Sequence, residues 1–315
     1  MLRNNPQTLL QIIKLRARLL EKIRAFFLSR NIFETKTPIL GNYSNIDPNI
    51  EPISVMLGNK KMFLHTSPEP AMKKLLCRGS GSIFQICEVF RNDERGKLHN
   101  PEFTMVEWYC IGMDHHDLMA QVNDLADMVL HCGTVRKMKY ACAFEEHAGI
   151  NPLRASCSEI YARIIKLGLN PDQAIDRTNI DQCLEFLFSA KVSPNLGMEQ
   201  PVFMYDYPAS QCGLAKLNID NPCTARRFEL FIKGIEICNG YHELTDSEEY
   251  MRRFEKINRE RMASGKPHLP VDMELINLIG QGLPDCAGVA LGFDRLVMLA
   301  AGAESLDQVM PINLI

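Results

Sequence analysis

Two apolar, strand-like runs, Ile83–Phe90 and Phe103–Tyr109, flank a polar stretch from Asn92 to Pro101. Two such runs with one polar connection between them predict an antiparallel hairpin. A connection of roughly ten residues is longer than the usual two to five, which marks it as a functional loop rather than a plain turn. Arg91, Arg95, Lys97, His99, Asn100 and Phe103 crowd into this stretch, and these are groups that hold phosphate or a purine. The rest of the chain has to build a sheet that places this hairpin next to something worth holding.

The chain is long enough for that. Its 315 residues are 46% hydrophobic, so a sizeable core is expected and wholesale disorder is not. A formal charge of −3 gives no global pull toward nucleic acid or an anionic membrane. No apolar run approaches the ~18 residues of a spanning helix, and the first residues lack a secretory core and cleavage site. The 11 cysteines are scattered, with no C-x-x-C pair. They read as free thiols, and a cytoplasmic protein with no membrane association is expected. His115 and His116 stand together, but the spacing around them does not suit a structural zinc site.

Helical periodicity over residues 7–30 gathers Leu9, Ile12, Ile13, Leu19, Leu20, Ile23, Phe26 and Phe27 on one face. Asn31 stops it, and an extended segment leads to Pro38. Residues 41–61 read as loop-rich. A short strand, Met62–Leu64, precedes a helix over 71–77 with Pro70 in its first turn, and Glu69 between two prolines has a stiffly held backbone. Residues 117–131 are expected to be helical. Short helices are expected around Phe144, over 157–167 and over 179–191, forming a helical insertion of roughly 140–200 within one domain. Val202–Tyr207 reads as a strand. Residues 227–243 read as a strand pair, or a bent strand with a bulge at Gly234, with an Asn239-Gly240 turn signal between Glu236 and Glu243. Thr245 to Glu248 reads as a capping box that opens a charged helix to about Ala263, with solvent-side pairs such as Glu249 and Arg253. A helix over 272–281 follows. The small residues from Ala287 to Gly292 then let backbone approach a ligand, just before Arg295.

No P-loop, no G-x-G-x-x-G after a strand, no H-E-x-x-H and no G-x-S-x-G occurs. Two arginines, Arg91 and Arg295, and four acids on sheet elements, Glu69, Glu107, Glu236 and Glu243, remain. Guanidinium groups suit a polyphosphate, and closely set carboxylates suit Mg2+ or an ammonium group. By residue type alone, structural ion pairs between these acids and arginines are the commoner explanation of the set. Lys73, Lys74, Arg78, Arg95 and Lys97 read either as local positive charge for an acidic partner or as solvated surface.

Three segments together resemble the three motifs of class II aminoacyl-tRNA synthetases: the helix leading to Pro38, the stretch from Phe90 through HNPEFTMVEWY, and the closing ALGFDR ending at Arg295. The middle segment is most similar to the lysyl version. The resemblance covers nearly the whole chain from about Leu9. It implies an α+β fold with a mostly antiparallel sheet flanked by helices, a homodimer built on the first helix and the Pro38 strand, and amino-acid activation by ATP with Mg2+. It assigns catalysis to Arg91 and Arg295. ATP contacts fall to Arg91, Asn92, Asp93, His99, Asn100, Phe103, Glu236, Ile237, Gly292 and Arg295, with Phe103 and Arg295 sandwiching adenine. The amino-acid pocket falls to Ser67, Pro68, Glu69, Glu107, Tyr109, Glu243 and Ala290, and the metal to Glu236 and Glu243. Asp93 stands where the family has glutamate.

The first helix begins too early to leave room for the anticodon-binding OB domain of lysyl-tRNA synthetases, so no anticodon recognition is expected. That pattern is similar to the paralogous branch that transfers β-lysine to a lysine side chain of elongation factor P. Thr66-Ser-Pro-Glu69, Pro208-Ala-Ser-Gln211 and the Gly240–Glu243 segment share this likeness. Lysyl-tRNA synthetases typically carry alanine at the place of Ser67 and glycine at that of Ala290. The extra methyl of Ala290 is a change worth about 1–3 kcal/mol of substrate discrimination. A truncated enzyme activating α-lysine and a non-catalytic regulatory relative are the alternatives. The second requires loss of a motif arginine or metal acid, and none is lost.

Overall fold

Thr8 starts the first helix. Its Oγ accepts from the Gln11 backbone N–H while the Gln11 side chain accepts from the Thr8 N–H, a reciprocal cap that fixes where helix α1 (Leu9–Leu28) begins. The structure, a computed structural model, describes residues 8–92, 94–171 and 175–312. The chain divides into two compact units. One holds the described residues up to Asp114, Met128–Leu130 and those from Glu243 onward; the other holds His115–Asp127 and His131–His242.

In the first unit, α1 is followed by β1 (Phe33–Glu34), β2 (Leu40–Gly41), β3 (Ser54–Leu57), β4 (Lys60–Leu64), α2 (Glu69–Cys77), β5 (Ile83–Phe90) and β6 (Glu102–Ile111). The loop-rich stretch expected over 41–61 therefore contains β3, which pairs antiparallel with β4; β2 lies on the other side of β4. The hairpin β5–β6 forms as expected, with Ile83 opposite Tyr109 and Phe90 opposite Glu102. β1 joins β5 in parallel, and β11 (Cys286–Gly292) joins the far side of β6 antiparallel.

Side chains alternate across this sheet. Phe84 and Trp108 point to the face covered by α1, where the Phe27 ring stacks on Phe84 at 4.4 Å and lies 5.1 Å from Trp108. Ile23 and Phe27 are fully buried there. The register leaves the opposite face to Phe103, Met105, Glu107 and Tyr109 of β6 and to Gly288, Ala290 and Gly292 of β11. One face of the sheet is core, and the other carries the expected site.

α3 (His115–Leu130) leads into the second unit, which contains β7 (Arg136–Lys139), α4 (Tyr140–Ala148), α5 (Cys157–Lys166), α6 (Ile180–Leu187), β8 (Val202–Pro208), β9 (Thr224–Ile232) and β10 (Ile235–His242). Its strands run in the order β10-β9-β8-β7, antiparallel except for the β7–β8 pair. β7 is missing from the sequence reading, because Arg136-Lys-Met-Lys139 buries only Met138. The short helices pack on this sheet through Tyr140, Phe144 and Phe231, with the Tyr140 and Phe144 rings stacked at 4.6 Å.

Of the two readings of residues 227–243 the strand pair holds, and one local reading changes. The hairpin turn is Lys233-Gly234, both in the left-handed region at φ 53° and 73°. This is the mirror-image turn whose twist matches its strands. Asn239 and Gly240 sit inside β10 instead, opposite Glu229 and Phe228, so pairing with β9 overrides their turn preference.

The first unit resumes with α7 (Ser247–Ala263), α8 (Met273–Gly282), β11 and α9 (Phe293–Ala301). The cap of α7 is Asp246, one residue later than expected, accepting from the N–H groups of Glu248 and Glu249. Arg253 does pair with Glu249 at 2.7 Å, but it is buried rather than solvent-side.

Candidate active site

Pro68 and Pro70 stiffen the entry to α2, with Pro68 as its N-cap and Glu69 its first residue. This fixes Ser67 and Glu69 on the rim of the open sheet face. The Ser67 hydroxyl donates to Glu107 Oε2 at 2.7 Å and accepts from the Glu69 N–H at 3.0 Å. Tyr109, two residues along β6 on the same face, donates to Glu107 Oε1 at 2.7 Å. An alanine at 67 would lose both bonds, so the serine holds two acids in register.

Glu243 follows β10, and its N–H donates to the Cys286 carbonyl at 3.0 Å, which ties it to the start of β11. Between Glu69 and Glu243 sits Lys73, with no exposed side-chain surface. Its Nζ is 2.5 Å from Glu69 Oε1, 2.6 Å from Glu243 Oε2 and 2.6 Å from the Tyr250 hydroxyl. Burial opposes the charge on Lys73, but Glu243, Glu69 and Tyr250 outweigh it and keep the ammonium charged well above its ordinary range. From sequence this lysine reads as surface charge, but the fold buries it. Lys74 and Arg78 also differ from an open basic patch: Lys74 pairs with Asp272 and Glu274, and Arg78 pairs with Glu274.

β11 forms the floor. Ala290 lies directly opposite Glu107, and Gly288 opposite Tyr109. A Cβ at position 288 would press into the Tyr109 ring and come within 2.5 Å of Glu243 Oε1, so no side chain fits there. The Ala290 methyl packs beside Phe103 in a small cluster with Cys87, Val89 and Met105. Ser67, Glu69, Glu107, Tyr109, Glu243 and, by register, Ala290 thus come together in one cluster, and Lys73 and Tyr250 join them.

A second group of expected site residues begins one residue upstream of Ser67. Arg91 Nε donates to the Thr66 carbonyl at 3.4 Å, its Nη1 lies 3.5 Å from Glu94 Oε1, and its guanidinium stacks over the Phe103 ring at 5.1 Å. Phe103 is therefore partnered by Arg91 here. Arg295 reaches from α9 to the Leu98 carbonyl at 3.2 Å, and Gly292 lies against its side chain. Asn100 donates to the Glu102 carbonyl at 2.7 Å, and His99 closes a tight turn with Gly96. The Asn92 N–H donates to the Glu51 carbonyl at 2.8 Å. The Glu51 side chain is in turn held by the fully buried Arg261 at 2.7 Å, which also donates to the carbonyls of Asp47 and Ile50. Asp93 lies outside the described residues. Glu236 and Ile237 belong to β10 in the second unit.

Burial and the charge of Glu69 push the Glu107 carboxyl up to about 8, against the pull of Ser67, Tyr109 and Lys73. Burial, with Glu107 as its nearest charge, keeps the Tyr109 hydroxyl protonated well above its ordinary range, so it stays a donor. At neutral pH Glu107 holds a proton. Because its native value lies above the ordinary 4.5, the native state binds the extra proton. The stability this gives is complete below about 4.5 and is lost as pH rises through about 8.

The chain matches the model of the class II tRNA synthetases for aspartate, lysine and asparagine (D, K and N) over residues 1–312. The chain belongs to this family. Within it, the chain is 44% identical over 310 residues to the elongation factor P–(R)-β-lysine ligase of Vibrio parahaemolyticus, covering 96% of both chains. It is 42% identical over 315 residues to the ligase of the same name from Histophilus somni, covering 98% of this chain and 97% of the relative. Against that of Salmonella dublin it is 44% identical over 303 residues, 94% of this chain and 92% of the relative. The class II resemblance drawn from the three motifs holds, as does the mostly antiparallel α+β architecture. Lys73, Tyr250, Gly288 and Arg261 carry site geometry that the motifs do not mention. The i,i+4 spacing of Glu69 and Lys73 was the one signal for the lysine.

Proposed function

We propose that this enzyme activates (R)-β-lysine with ATP and passes the acyl group to a lysine side chain of elongation factor P. The reading is carried by the pocket of three carboxylates, Glu69, Glu107 and Glu243, closed by Ser67 and Ala290 and opening beside Arg91. It is supported by relatives that carry that name over nearly their full length. A diamino acid needs several acids around its two ammonium groups, and these three are buried or nearly so.

In the first step the β-lysine carboxylate attacks the α-phosphorus of ATP, giving the aminoacyl-adenylate and pyrophosphate. Such chemistry needs positioning and charge stabilisation rather than an enzyme nucleophile. Arg91 holds the α-phosphate as charge develops on it. Phe103 offers a stacking face for adenine, and Arg295 faces the terminal phosphates. Asn92, His99, Asn100 and Gly292 complete the nucleotide contacts. The pocket acids hold the amino groups, and Ala290 limits where the amino group next to the carboxylate can lie. In the second step the acceptor lysine amine attacks the acyl carbon and AMP leaves.

Glu236 is the residue to hold Mg2+, because Glu243 Oε2 lies 2.6 Å from the Lys73 ammonium and is left to the amino-acid pocket. The second unit suits a dication at Glu236. Burial, opposed by Arg227 and reinforced by the charge of Glu236, pushes the neighbouring Glu229 carboxyl up to about 7, a repulsion that a cation relieves. When bound, the ion supplies charge neutralisation for the triphosphate. Mg2+ commonly takes one or two carboxylates plus substrate phosphates. Among the described residues, no group of three His, Cys, Asp or Glu side chains forms a self-contained metal cage.

A homodimer fits the exposed apolar residues of α1 and β1. Leu9, Leu10, Ile13 and Phe33 are 58%, 59%, 45% and 58% exposed, which is what a two-fold contact would cover. Light scattering at micromolar concentration is expected to give twice the chain mass. A cytoplasmic setting fits eleven cysteines that are all free thiols. No helix among the described residues is long and apolar enough to cross a membrane.

The deciding experiment is ATP–pyrophosphate exchange with β-lysine and α-lysine side by side. Exchange favouring β-lysine is expected, and exchange favouring α-lysine would reverse the substrate assignment. The Glu107 shift adds a second expectation. Binding of β-lysine at pH 7 should release close to one proton, read by calorimetry in buffers of differing ionisation enthalpy. The release should vanish above about pH 9 and in Glu107→Gln. Heats independent of buffer at pH 7 would contradict it.

A further inference from the structure

Within the pocket, Lys73 is set apart by where its protons go. An ammonium has three N–H donors, and here three oxygens surround it, from Glu69 on α2, Glu243 after β10 and Tyr250 on α7. With its donors spent on these and no exposed surface, Lys73 has nothing left to offer a substrate. Nor is it a simple surface pair. Glu69 and Glu243 are both held at hydrogen-bonding distance of one nitrogen, so each sits where it does because the lysine is between them. Without the lysine, two carboxylates would repel each other across a buried space and turn away.

The charge count has a consequence. Glu69, Glu107 and Glu243 carry three negative charges when all are ionised, and Lys73 cancels one. Two remain, equal to the two ammonium groups of a diamino acid whose carboxylate has become an acyl phosphate. We propose that Lys73 is a specificity-determining positioning residue, an internal cation that fixes Glu69 and Glu243 and sets the pocket charge to match a doubly positive aminoacyl group. This rests on the β-lysine reading above. Lys73 acts through its two acids and touches neither ATP nor the reacting atoms.

The test is pyrophosphate exchange by the full chain, with separate KM values for β-lysine and ATP. Lys73→Met is expected to raise the β-lysine KM about thirtyfold or more while the ATP KM stays within about threefold. Tyr250→Phe removes one of the three oxygens and is expected to raise the β-lysine KM about three- to tenfold, again without moving that of ATP. In Lys73→Ala, added ethylammonium should recover about tenfold in kcat/KM for β-lysine, which a merely structural lysine would not allow. A β-lysine KM unchanged in Lys73→Met, a parallel rise in both KM values, or no response to ethylammonium overturns the assignment. If the Lys73 variants do not fold, Tyr250→Phe decides, and an unchanged β-lysine KM in it overturns the proposal. Wild type assayed alongside separates the two readings, because wild type inactive with β-lysine defeats the parent function, not the role of Lys73.

Discussion

Arg91→Ala is expected to lower kcat/KM for ATP-dependent activation of β-lysine about a thousandfold. Arg91 leaves β5 with its backbone N–H bound to the Pro101 carbonyl, so the base of the side chain is fixed across the loop. Its guanidinium is held by the Thr66 carbonyl and by the Phe103 ring. A donor preorganised at developing charge is worth about 2.7–4 kcal/mol, since it costs no rearrangement at the moment of reaction. The contacts Arg91 makes without ligand are weak by comparison. A guanidinium with 22% of its side chain exposed over an aromatic ring contributes on the order of 1 kcal/mol, and the Glu94 pair lies at 3.5 Å. The variant should therefore melt within a few degrees of wild type while losing nearly all activity. A loss under about tenfold in pyrophosphate exchange would remove Arg91 from the chemistry.

Asp294→Ala is expected to do the reverse and act first on stability. Asp294 is the second residue of α9 and is almost fully buried. One carboxylate oxygen lies 2.6 Å from Arg16 Nη1 on α1, and the other accepts from the Thr104 N–H on β6 at 2.7 Å. Arg16 also stacks over Phe293 at 5.1 Å. One carboxylate thus pins together the first helix, the site hairpin and the last helix. Removing it leaves a largely buried guanidinium without its partner, at a cost of about 3–5 kcal/mol. Loss on that scale should lower the melting temperature by roughly 10 °C. Arg295 follows Asp294 directly, so activity should fall as well, but by less than for Arg91→Ala. A melting temperature within about 2 °C of wild type would show that the pair contributes little.

What could be read from the sequence follows a physical line. The β5–β6 hairpin, α1 and the approach to Arg295 were legible because periodicity and proline are local signals that the fold did not contradict. Misread positions are those where long-range pairing decides. Asn239-Gly240 has strong turn chemistry, yet it lies in the middle of β10 because β9 runs alongside it. Lys73 sits in a run, Lys-Lys, that looks solvated, and its burial depends on Glu243 and Tyr250, about 170 residues or more away in sequence. Motif likeness named Ser67, Glu69, Glu107 and Glu243 one by one. That Ser67 bonds Glu107 and the Glu69 N–H, and that Lys73 joins Glu69 to Glu243, is visible only in three dimensions.

The central claim joins this site to one acceptor. Elongation factor P incubated with the enzyme, ATP and (R)-β-lysine, then analysed by intact-protein and peptide mass spectrometry, tests it most directly. A gain of one β-lysine less one water, located on a single lysine side chain and absent without ATP or with Arg91→Ala, is the expected result. Unchanged elongation factor P, from a preparation that carries out pyrophosphate exchange with β-lysine, would contradict the account.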